Sequence, residues 1–229
     1  HKLGPVYTVM QAIEHINLEQ PTVVNYCDFT CYWNYEDFKK YINRTAAEGV
    51  LPCYRGFHPH TLWSNYYAYV KETNLKACSI QEKQPFTHNP KEEFASSGTY
   101  YFKSGALMKD YFQKGIEKKL MVNNEYYVSM AYKPMIEDRL QVYVHEIPYF
   151  MQWGTPDDLE EYCYWSDIFK ELLHKNVSPK QKGSLLMPMV GLGSRFQKEG
   201  YTTPKPLIPV SGKPMAVQAV NNLPQTQSQ

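Results

Sequence analysis

MVGLGSRFQKEGYTTPKPLIPVSGKPM, residues 189–215, places two glycines and a serine directly after a short apolar run. Glycine lacks a Cβ, so the backbone N–H groups of such a loop can approach a phosphate closely. Arg195 adds a fork of hydrogen-bond donors. Lys205 lies between Pro204 and Pro206, whose fixed φ angles hold this cation at a low entropic cost. The stretch therefore predicts a local phosphate-binding loop.

Two common phosphate loops do not fit this stretch. The dinucleotide fingerprint G-x-G-x-x-G would need a third glycine where Phe196 stands and a helix that opens at once, which we do not expect here. A Walker loop needs Gly-Lys-Ser/Thr at the start of a helix, whereas Gly212-Lys213 precedes Pro214. The loop is therefore expected to belong to another class of phosphate-binding protein.

Composition limits the partners and the compartment. The 229 residues carry a formal net charge of +1, so no overall field would collect nucleic acid or anionic membrane. The chain has no long apolar run and no leader pattern at its start, so we expect neither secretion nor membrane spanning. Five cysteines without a Cys-x-x-Cys pair favour reduced thiols and a cytoplasmic protein. The 20 tyrosines are expected to line a core and a cleft.

Helical and extended patterns alternate along the first three quarters of the chain, which predicts an α/β fold. The run Pro21–Phe29 is typical of a buried strand that delivers Asp28 at its carboxyl end. A polar linker at 176–184 separates residues 1–175 from residues 185–229. Further helices and strands are predicted at the following positions: helices at 6–16, 35–49, 105–120, 155–175 and 216–223, and strands at 49–54, 66–73, 77–84, 96–105, 140–147 and 185–190.

With these motifs in view, GLGSRF and the later PKP resemble the N-terminal signature of the sugar-1-phosphate nucleotidyltransferases, the pyrophosphorylases that make nucleotide sugars. The resemblance implies a Rossmann-like nucleotidyltransferase fold with a mixed, mostly parallel central sheet flanked by helices. It also implies condensation of a nucleoside triphosphate with a sugar-1-phosphate, or a similar phosphorylated small molecule, to give a nucleotide sugar and pyrophosphate. The resemblance further implies that Gly191, Leu192, Gly193 and Ser194 bind the phosphates of the nucleotide, and that Arg195 and Lys205 are the catalytic cations.

The rest of the chain resembles the later part of the same family. NYCDF places Asp28 where the family has an aspartate that binds Mg²⁺, and SIQEKQ resembles the element that meets the sugar phosphate through Glu82 and Lys83. SSGTYYF resembles the family's glycine strand, with Gly98 against the sugar, and NNEYYVSM offers Glu125 as an acceptor for a sugar hydroxyl. The resemblance thus implies Mg²⁺ as cofactor and no nucleic acid or membrane partner. It leaves a homo-oligomer open.

Two features depart from the family pattern. The family's second metal carboxylate stands in W-x-D-x-G-T, but here FMQWGTPDDL has Gln152 or Trp153 at that place, and Asp157 is more typical of a helix N-terminus. The order of the motifs is also reversed, as if Gln229 preceded His1 with roughly 30 residues absent. A permuted chain, a fragment spanning two tandem copies and a numbering artefact would each give this order.

Each proposed site residue has a plainer interpretation. Asp28 could cap a turn, and Glu125 could open a helix. Glu82 and Lys83 could form a surface ion pair worth less than about 1 kcal/mol. The motif as a whole favours phosphate chemistry, and a nucleotide- or sugar-phosphate-binding protein that has lost catalysis is the alternative function. A glycosyltransferase ranks lower because no Asp-x-Asp motif is present.

Overall fold

The computed structural model describes residues 3–58, 67–173, 186–189, 191 and 193–221. It divides into two compact units, His1–Asp167 and Ile168–Gln229, with the boundary inside a helix, α5 (Pro156–Leu173). The predicted linker at 176–184 lies outside the described residues. The two units are described separately below.

Nine strands are described in the first unit. They are β1 (Thr22–Asn25), β2 (Phe29–Tyr32), β3 (Gly49–Tyr54), β4 (Ala68–Thr73), β5 (Lys76–Glu82), β6 (Phe94–Ser96), β7 (Thr99–Phe102), β8 (Val142–Glu146) and β9 (Tyr149–Gln152). Seven of them form one sheet in the order β1-β7-β3-β6-β4-β5-β8. Strand β8 also pairs with β3, so β3, β6, β4, β5 and β8 form a closed ring of pairings. Strands β2 and β9 form a separate two-stranded ribbon.

The sheet is mixed, as expected, but the prediction that it is mostly parallel is wrong for the described strands. Only β3 and β8 pair in parallel, and each other described pair in the sheet is antiparallel. The reason is local. Asn74 and Leu75 join β4 to β5 in a tight turn with φ of 53° and 65°, and a two-residue turn can connect only antiparallel strands. Strands β6 and β7 follow one another along β3 in the same antiparallel sense.

Helices cover both faces of this sheet. They are α1 (Pro5–Gln11), α2 (Tyr35–Thr45), α3 (Gly105–Glu117) and α4 (Tyr132–Glu137). Helix α2 packs Phe38 and Tyr41 in one cluster with Val50, whereas Leu51 packs with Met108 of α3 and Met135 of α4 in another. Because adjacent residues of a strand point to opposite faces, β3 contributes to both layers. The predicted flanking of the sheet by helices is therefore confirmed.

Most predicted elements of the first unit are present, with several differences. Helix α1 ends at Gln11, and a short 3-10 helix, Ile13–His15, follows it. The sequence interpretation missed β2, β9 and α4, because none of these short segments has a clear period on its own. The predicted buried strand Pro21–Phe29 is also wrong in part: β1 ends at Asn25, none of its residues is buried, and Asp28 lies in the connection to β2. The tyrosines do divide between core and cavity. Tyr54, Tyr101 and Tyr132 are buried, and Tyr26, Tyr67 and Tyr127 line a cleft.

The elements described in the second unit are short. They are α6 (Ser194–Lys198), a 3-10 helix at Lys205–Leu207, β10 (Pro209–Val210), β11 (Lys213–Pro214) and α7 (Met215–Asn221), besides the last residues of α5. Ser211 and Gly212, with φ of 47° and 78°, form the turn between β10 and β11. Residues 186–189 are not a strand, contrary to the prediction for this run. Helix α6 begins immediately after Gly193, so the expectation that no helix opens there was wrong.

Two further observations concern the cysteines and the possibility of a membrane-spanning helix. All five cysteines are unpaired thiols. Within the described ranges, no helix combines the length and the apolar character that a bilayer crossing requires.

Candidate active site

The first unit contains a cavity of about 240 Å³, here termed the Asp28 cleft. Four of the predicted site residues, Asp28, Glu82, Lys83 and Gly98, line it, although they come from separate segments of the chain. Six aromatic side chains form much of its wall: Tyr26, Phe29, Tyr67, Tyr100, Tyr127 and Phe150. A cleft with aromatic walls and a few charged groups is typical of a site for a small polar ligand.

Backbone hydrogen bonds place Asp28 at this cleft. The residue lies between β1 and β2, and the backbone N–H of Trp153 donates to its carbonyl oxygen at 2.7 Å. On the other side, the N–H of Tyr26 donates to the carbonyl of Gly98 at 3.0 Å. The short connection between β1 and β2 is thus held from two sides, and the Asp28 side chain remains exposed.

The space beside the Asp28 carboxylate suits a small hard cation. A Cβ at Gly154 would lie 3.2 Å from Oδ2 of Asp28 and 3.5 Å from Nε2 of Gln152, so glycine keeps this space open. Among the described residues, no three His, Cys, Asp or Glu side chains are grouped for a metal ion. Asp28 is the carboxylate beside this space, so an ion held here would take most of its ligands from water and substrate oxygens, as Mg²⁺ commonly does.

Of the two candidates for the second acid position, Gln152 is the one that faces the cleft. Strand β9 pairs Gln152 with Phe29, next to Asp28, and Gln152 lines the cavity. Trp153 instead packs its ring against Tyr162, and its indole nitrogen is buried without a hydrogen-bond partner among the described residues.

A carboxylate does stand behind Gln152. The Nε2 of Gln152 donates to Oδ2 of Asp158 at 2.7 Å, and the hydroxyl of Thr155 donates to the same oxygen at 2.5 Å. The backbone N–H of Asp158 donates to Thr155 Oγ1, so Thr155 caps α5. Asp157 lies in the first turn of that helix, as its helix N-terminus interpretation predicts.

Burial raises the pKa of Tyr67, and the negative charges of Asp158 and Asp28 add to this effect. Both carboxylates therefore act on the same end of the cleft.

Glu82 is a largely buried carboxyl group at the end of β5. Burial raises the pKa of Glu82 to about 7, while a hydrogen bond from Ser129 and the charge of Lys83 work in the opposite direction. The hydroxyl of Ser129 donates to Oε2 of Glu82 at 2.5 Å. Near neutral pH this side chain is therefore present in both its protonated and its ionised form.

Lys83 is held by its neighbours at both ends. Its backbone N–H donates to the carbonyl of Tyr67 at 2.8 Å, and its Nζ donates to the hydroxyl of Tyr127 at 2.7 Å. Tyr127 in turn donates to Oε2 of Glu125 at 2.6 Å. Tyr127 lines the cleft. Glu125 is not among the lining residues and is connected to the cleft through its hydrogen bond from Tyr127.

The second unit brings the glycine loop against the PKP segment. Gly193 has a φ of 65° and precedes α6, and a Cβ there would lie 3.0 Å from Cβ of Lys205. The Nζ of Lys205 lies 6.0 Å from the ring centroid of Phe196. Arg195 and Lys205 are both exposed. Leu192 lies outside the described residues.

A second cavity, of about 200 Å³, lies within this unit. Gly191 and Lys205 line it together with apolar side chains, among them Met187, Met189 and Met215. Gly191 and Lys205 therefore lie on one surface. The roles of Gly191, Gly193, Ser194, Arg195 and Lys205 stay predictions.

Comparison with known proteins gives structural relatives only. No protein-family model and no curated protein sequence matches the chain. Similar solved structures include a nucleoside-diphosphate-sugar pyrophosphorylase from Vibrio cholerae RC9, with 16% identity, a TM-score of 0.57 and coverage of 72% of this chain and 66% of that one. A UDP-glucose pyrophosphorylase complexed with UDP-glucose matches with 14% identity, a TM-score of 0.57 and coverage of 73% and 64%.

A third solved structure, from Bacillus anthracis, is described as a glucose-1-phosphate thymidylyltransferase in complex with sucrose. It matches with 15% identity, a TM-score of 0.53 and coverage of 72% and 62%. The chain thus spans less than two thirds of the length of each of these proteins. These similarities show that the chain shares a mixed α/β fold with these proteins.

Three residues were not singled out from the sequence: Tyr127, which lines the cleft, and Ser129 and Asp158, which form hydrogen bonds with residues that line it. Tyr127 precedes the 3-10 helix Val128–Ala131 and accepts from Lys83, whereas Ser129 lies within that helix and donates to Glu82. Their only sequence signal was their closeness to Glu125. Asp158 stands beside Asp157 in the predicted helix start, and its bonds from Gln152 and Thr155, which both line the cavity, connect it to the cleft.

Proposed function

We propose that this chain carries the acceptor site and the nucleotide-phosphate loop of a sugar-phosphate nucleotidyltransferase. The observation that supports the proposal most is the convergence of Asp28, Glu82, Lys83 and Gly98 on one cleft. An isolated acid or lysine would be an ordinary surface charge, but four predicted residues from three separate segments are an unusual coincidence. The aromatic walls suit the apolar faces of a sugar ring.

In the proposed reaction, an oxygen of the sugar-1-phosphate attacks the α-phosphorus of a nucleoside triphosphate. A new P–O bond forms, the bond from the α-phosphorus to the bridging oxygen breaks, and pyrophosphate leaves with that electron pair. An ionised phosphate needs no general base. The protein therefore contributes alignment and neutralisation of the negative charge that accumulates between the two phosphates.

Each charged residue has a distinct part in this scheme. Lys83 binds the acceptor's phosphate from the cleft wall, and Glu82 exchanges hydrogen bonds with a sugar hydroxyl. Arg195 and Lys205 bind the phosphates of the triphosphate, with the backbone of Gly191, Leu192, Gly193 and Ser194. Asp28 would hold Mg²⁺, which when bound neutralises charge on the phosphate oxygens.

A binding protein without turnover is the second candidate. Gln152 stands where the resemblance places a second metal carboxylate, and its amide is bonded to Asp158. A neutral amide attracts a cation less strongly than a carboxylate does. This single replacement favours a protein that binds nucleotide and sugar phosphate but transfers slowly or not at all.

Pyrophosphate release distinguishes the two candidates. The purified protein is incubated with Mg²⁺ and each combination of nucleoside triphosphate and phosphorylated sugar or alcohol, and binding of each compound is measured by calorimetry. We expect release with at least one pair, and a decrease of about 100-fold in Asp28→Asn. Lys109→Met, which removes an exposed lysine of α3, is the control and should leave the rate unchanged.

The outcomes of this experiment distinguish the enzyme from the binding protein. Release that depends on Asp28 supports the enzyme. Binding of both compounds without release supports the binding protein. If neither binding nor release occurs with any pair, both proposals are wrong.

A further inference from the structure

A line of hydrogen bonds runs away from the Asp28 cleft, from Lys83 through Tyr127 to Glu125. The distances are 2.7 Å between Nζ and the tyrosine oxygen and 2.6 Å between that oxygen and Oε2 of Glu125. The ammonium also lies 4.7 Å from the centroid of the Tyr127 ring. The lysine thus contacts both the hydroxyl and the face of one tyrosine.

Chemistry fixes the direction of each bond in this line. A lysine ammonium has three N–H donors and no acceptor, so the tyrosine oxygen must accept from it. The single phenolic proton is then directed to the carboxylate of Glu125, which is acceptor-only when ionised. Burial and the bond to Glu125 both raise the pKa of Tyr127, so the phenol remains protonated and able to donate.

The backbone restricts the lysine as well. Lys83 has a φ of 60°, a left-handed conformation that residues other than glycine adopt rarely, and its N–H is bonded to the carbonyl of Tyr67. A lysine side chain has many rotamers, and ordering it opposes binding. With both ends fixed before a ligand arrives, Lys83 can bind an anion with less of that entropic loss.

We propose that Tyr127 is a positioning residue that aims the Lys83 ammonium into the cleft for the acceptor's phosphate, and that Glu125 anchors Tyr127. This inference rests on the proposed function and deepens it. Lys83 donates to a neutral phenol rather than to the carboxylate of Glu125, so this hydrogen bond leaves the positive charge of the ammonium available to a ligand. One N–H is used by Tyr127, and the other two are directed elsewhere and can serve phosphate oxygens.

The test measures Lys83 directly and needs no knowledge of the sugar. The folded chain is treated briefly with a limiting amine-acylating reagent, and acylation of Lys83 is quantified by mass spectrometry relative to Lys109. Inorganic phosphate is then added as a probe, and the concentration that half-protects Lys83 is determined. Tyr127→Phe removes the hydroxyl but keeps the ring, and Tyr126→Phe is the matched control, since its hydroxyl lies 3.5 Å from the carbonyl of Ile116.

In Tyr127→Phe we expect Lys83 to be acylated faster than in the wild type, and half-protection to need about tenfold more phosphate, the effect of losing one hydrogen bond to a charged group. Tyr126→Phe should match the wild type. Glu125→Ala, which leaves the Tyr127 ring and hydroxyl in place, should shift protection in the same direction. If both Tyr127→Phe and Glu125→Ala react and are protected like the wild type, the positioning role is overturned.

A kinetic arm separates this inference from the proposed function. With the substrate pair that releases pyrophosphate, Tyr127→Phe should raise KM for the acceptor about tenfold and leave KM for the triphosphate unchanged. Release with an unchanged acceptor KM and unchanged acylation refutes the positioning role alone. Changed acylation and protection in a chain that never releases pyrophosphate supports a positioned anion site and refutes the enzyme.

Discussion

At the scale of single residues, Gly98 is a position where the backbone conformation and the surrounding side chains favour glycine. It interrupts the run of β6 and β7 along β3 with a φ of 94°, a region that L-residues rarely adopt. A Cβ there would lie 3.0 Å from Cε1 of Phe29 and 3.3 Å from Cδ2 of Tyr26. The family resemblance predicted this glycine as a contact for the sugar, and the structure adds that the local backbone requires it.

Gly98→Ala should lower the free energy of unfolding by about 1–2 kcal/mol, because alanine is strained at this φ and its methyl group meets Phe29. Urea denaturation gives the value. Gly115→Ala is the matched control, since Gly115 lies in α3 without a positive φ and no atom lies within 4 Å of its added Cβ. That variant should gain about 0.5–1 kcal/mol. Equal losses in both variants would contradict the argument.

At the scale of elements, α2 shows how a helix end differs from its sequence signal. The sequence predicted Gly49 as the end of this helix, but α2 stops at Thr45 and Ala46 adopts the left-handed conformation with a φ of 48°. Gly49 is used elsewhere. It begins β3, and a Cβ there would lie 2.7 Å from the Tyr132 ring. Packing against α4, rather than capping, requires that glycine.

Ala46→Gly should therefore stabilise the protein by about 1 kcal/mol, because glycine adopts the left-handed conformation without the steric cost that alanine bears. The change is read from the urea midpoint at constant slope. Ala47→Gly is the control. Ala47 is buried beside Phe38 and Tyr41 without a positive φ, so the same change there should destabilise. A loss of stability in Ala46→Gly would show that the cap is not strained.

The positions of the strands could be predicted from the sequence, but their pairing could not. Apolar runs and alternation located β3, β4, β5 and β8 within a residue or two of their observed bounds. The direction in which they pair could not be predicted, because a strand's pattern specifies which side chains are buried and not which neighbour it meets. The ribbon of β2 and β9 joins segments more than a hundred residues apart, and this pairing alone places Gln152 beside Asp28.

At the scale of the whole molecule, stability should depend on pH through Glu82. Its folded-state pKa of about 7 lies above its ordinary value of 4.5, so the folded chain holds this proton more tightly than the unfolded chain does. The resulting stabilisation is complete below about pH 4.5 and is lost as the pH rises through about 7. The charge of Lys83 opposes the rise in the pKa of Glu82, and the charge of ionised Glu82 in turn raises the pKa of Tyr26 and of Tyr127.

Comparison of the wild type with Glu82→Gln isolates this contribution. Between pH 5 and pH 8 the difference in unfolding free energy between the two proteins should change by up to about 3 kcal/mol, with the variant gaining relative stability at pH 8. Urea denaturation at both values measures it. Exposed Glu160→Gln should show no such change. A difference that is constant with pH would contradict a buried, proton-binding Glu82.

By itself, the sequence determined which residue types stand in the motifs, where most helices and strands lie, and that the protein is of the α/β class. These features follow from periodicity, turns and residue type, which are local properties. Tertiary structure decided the rest. It selected Gln152 over Trp153 for the cleft, placed Tyr127 between Lys83 and Glu125, and made the sheet largely antiparallel. These outcomes depend on which distant strands pair and in which register, and a shift of one residue would turn each side chain to the opposite face.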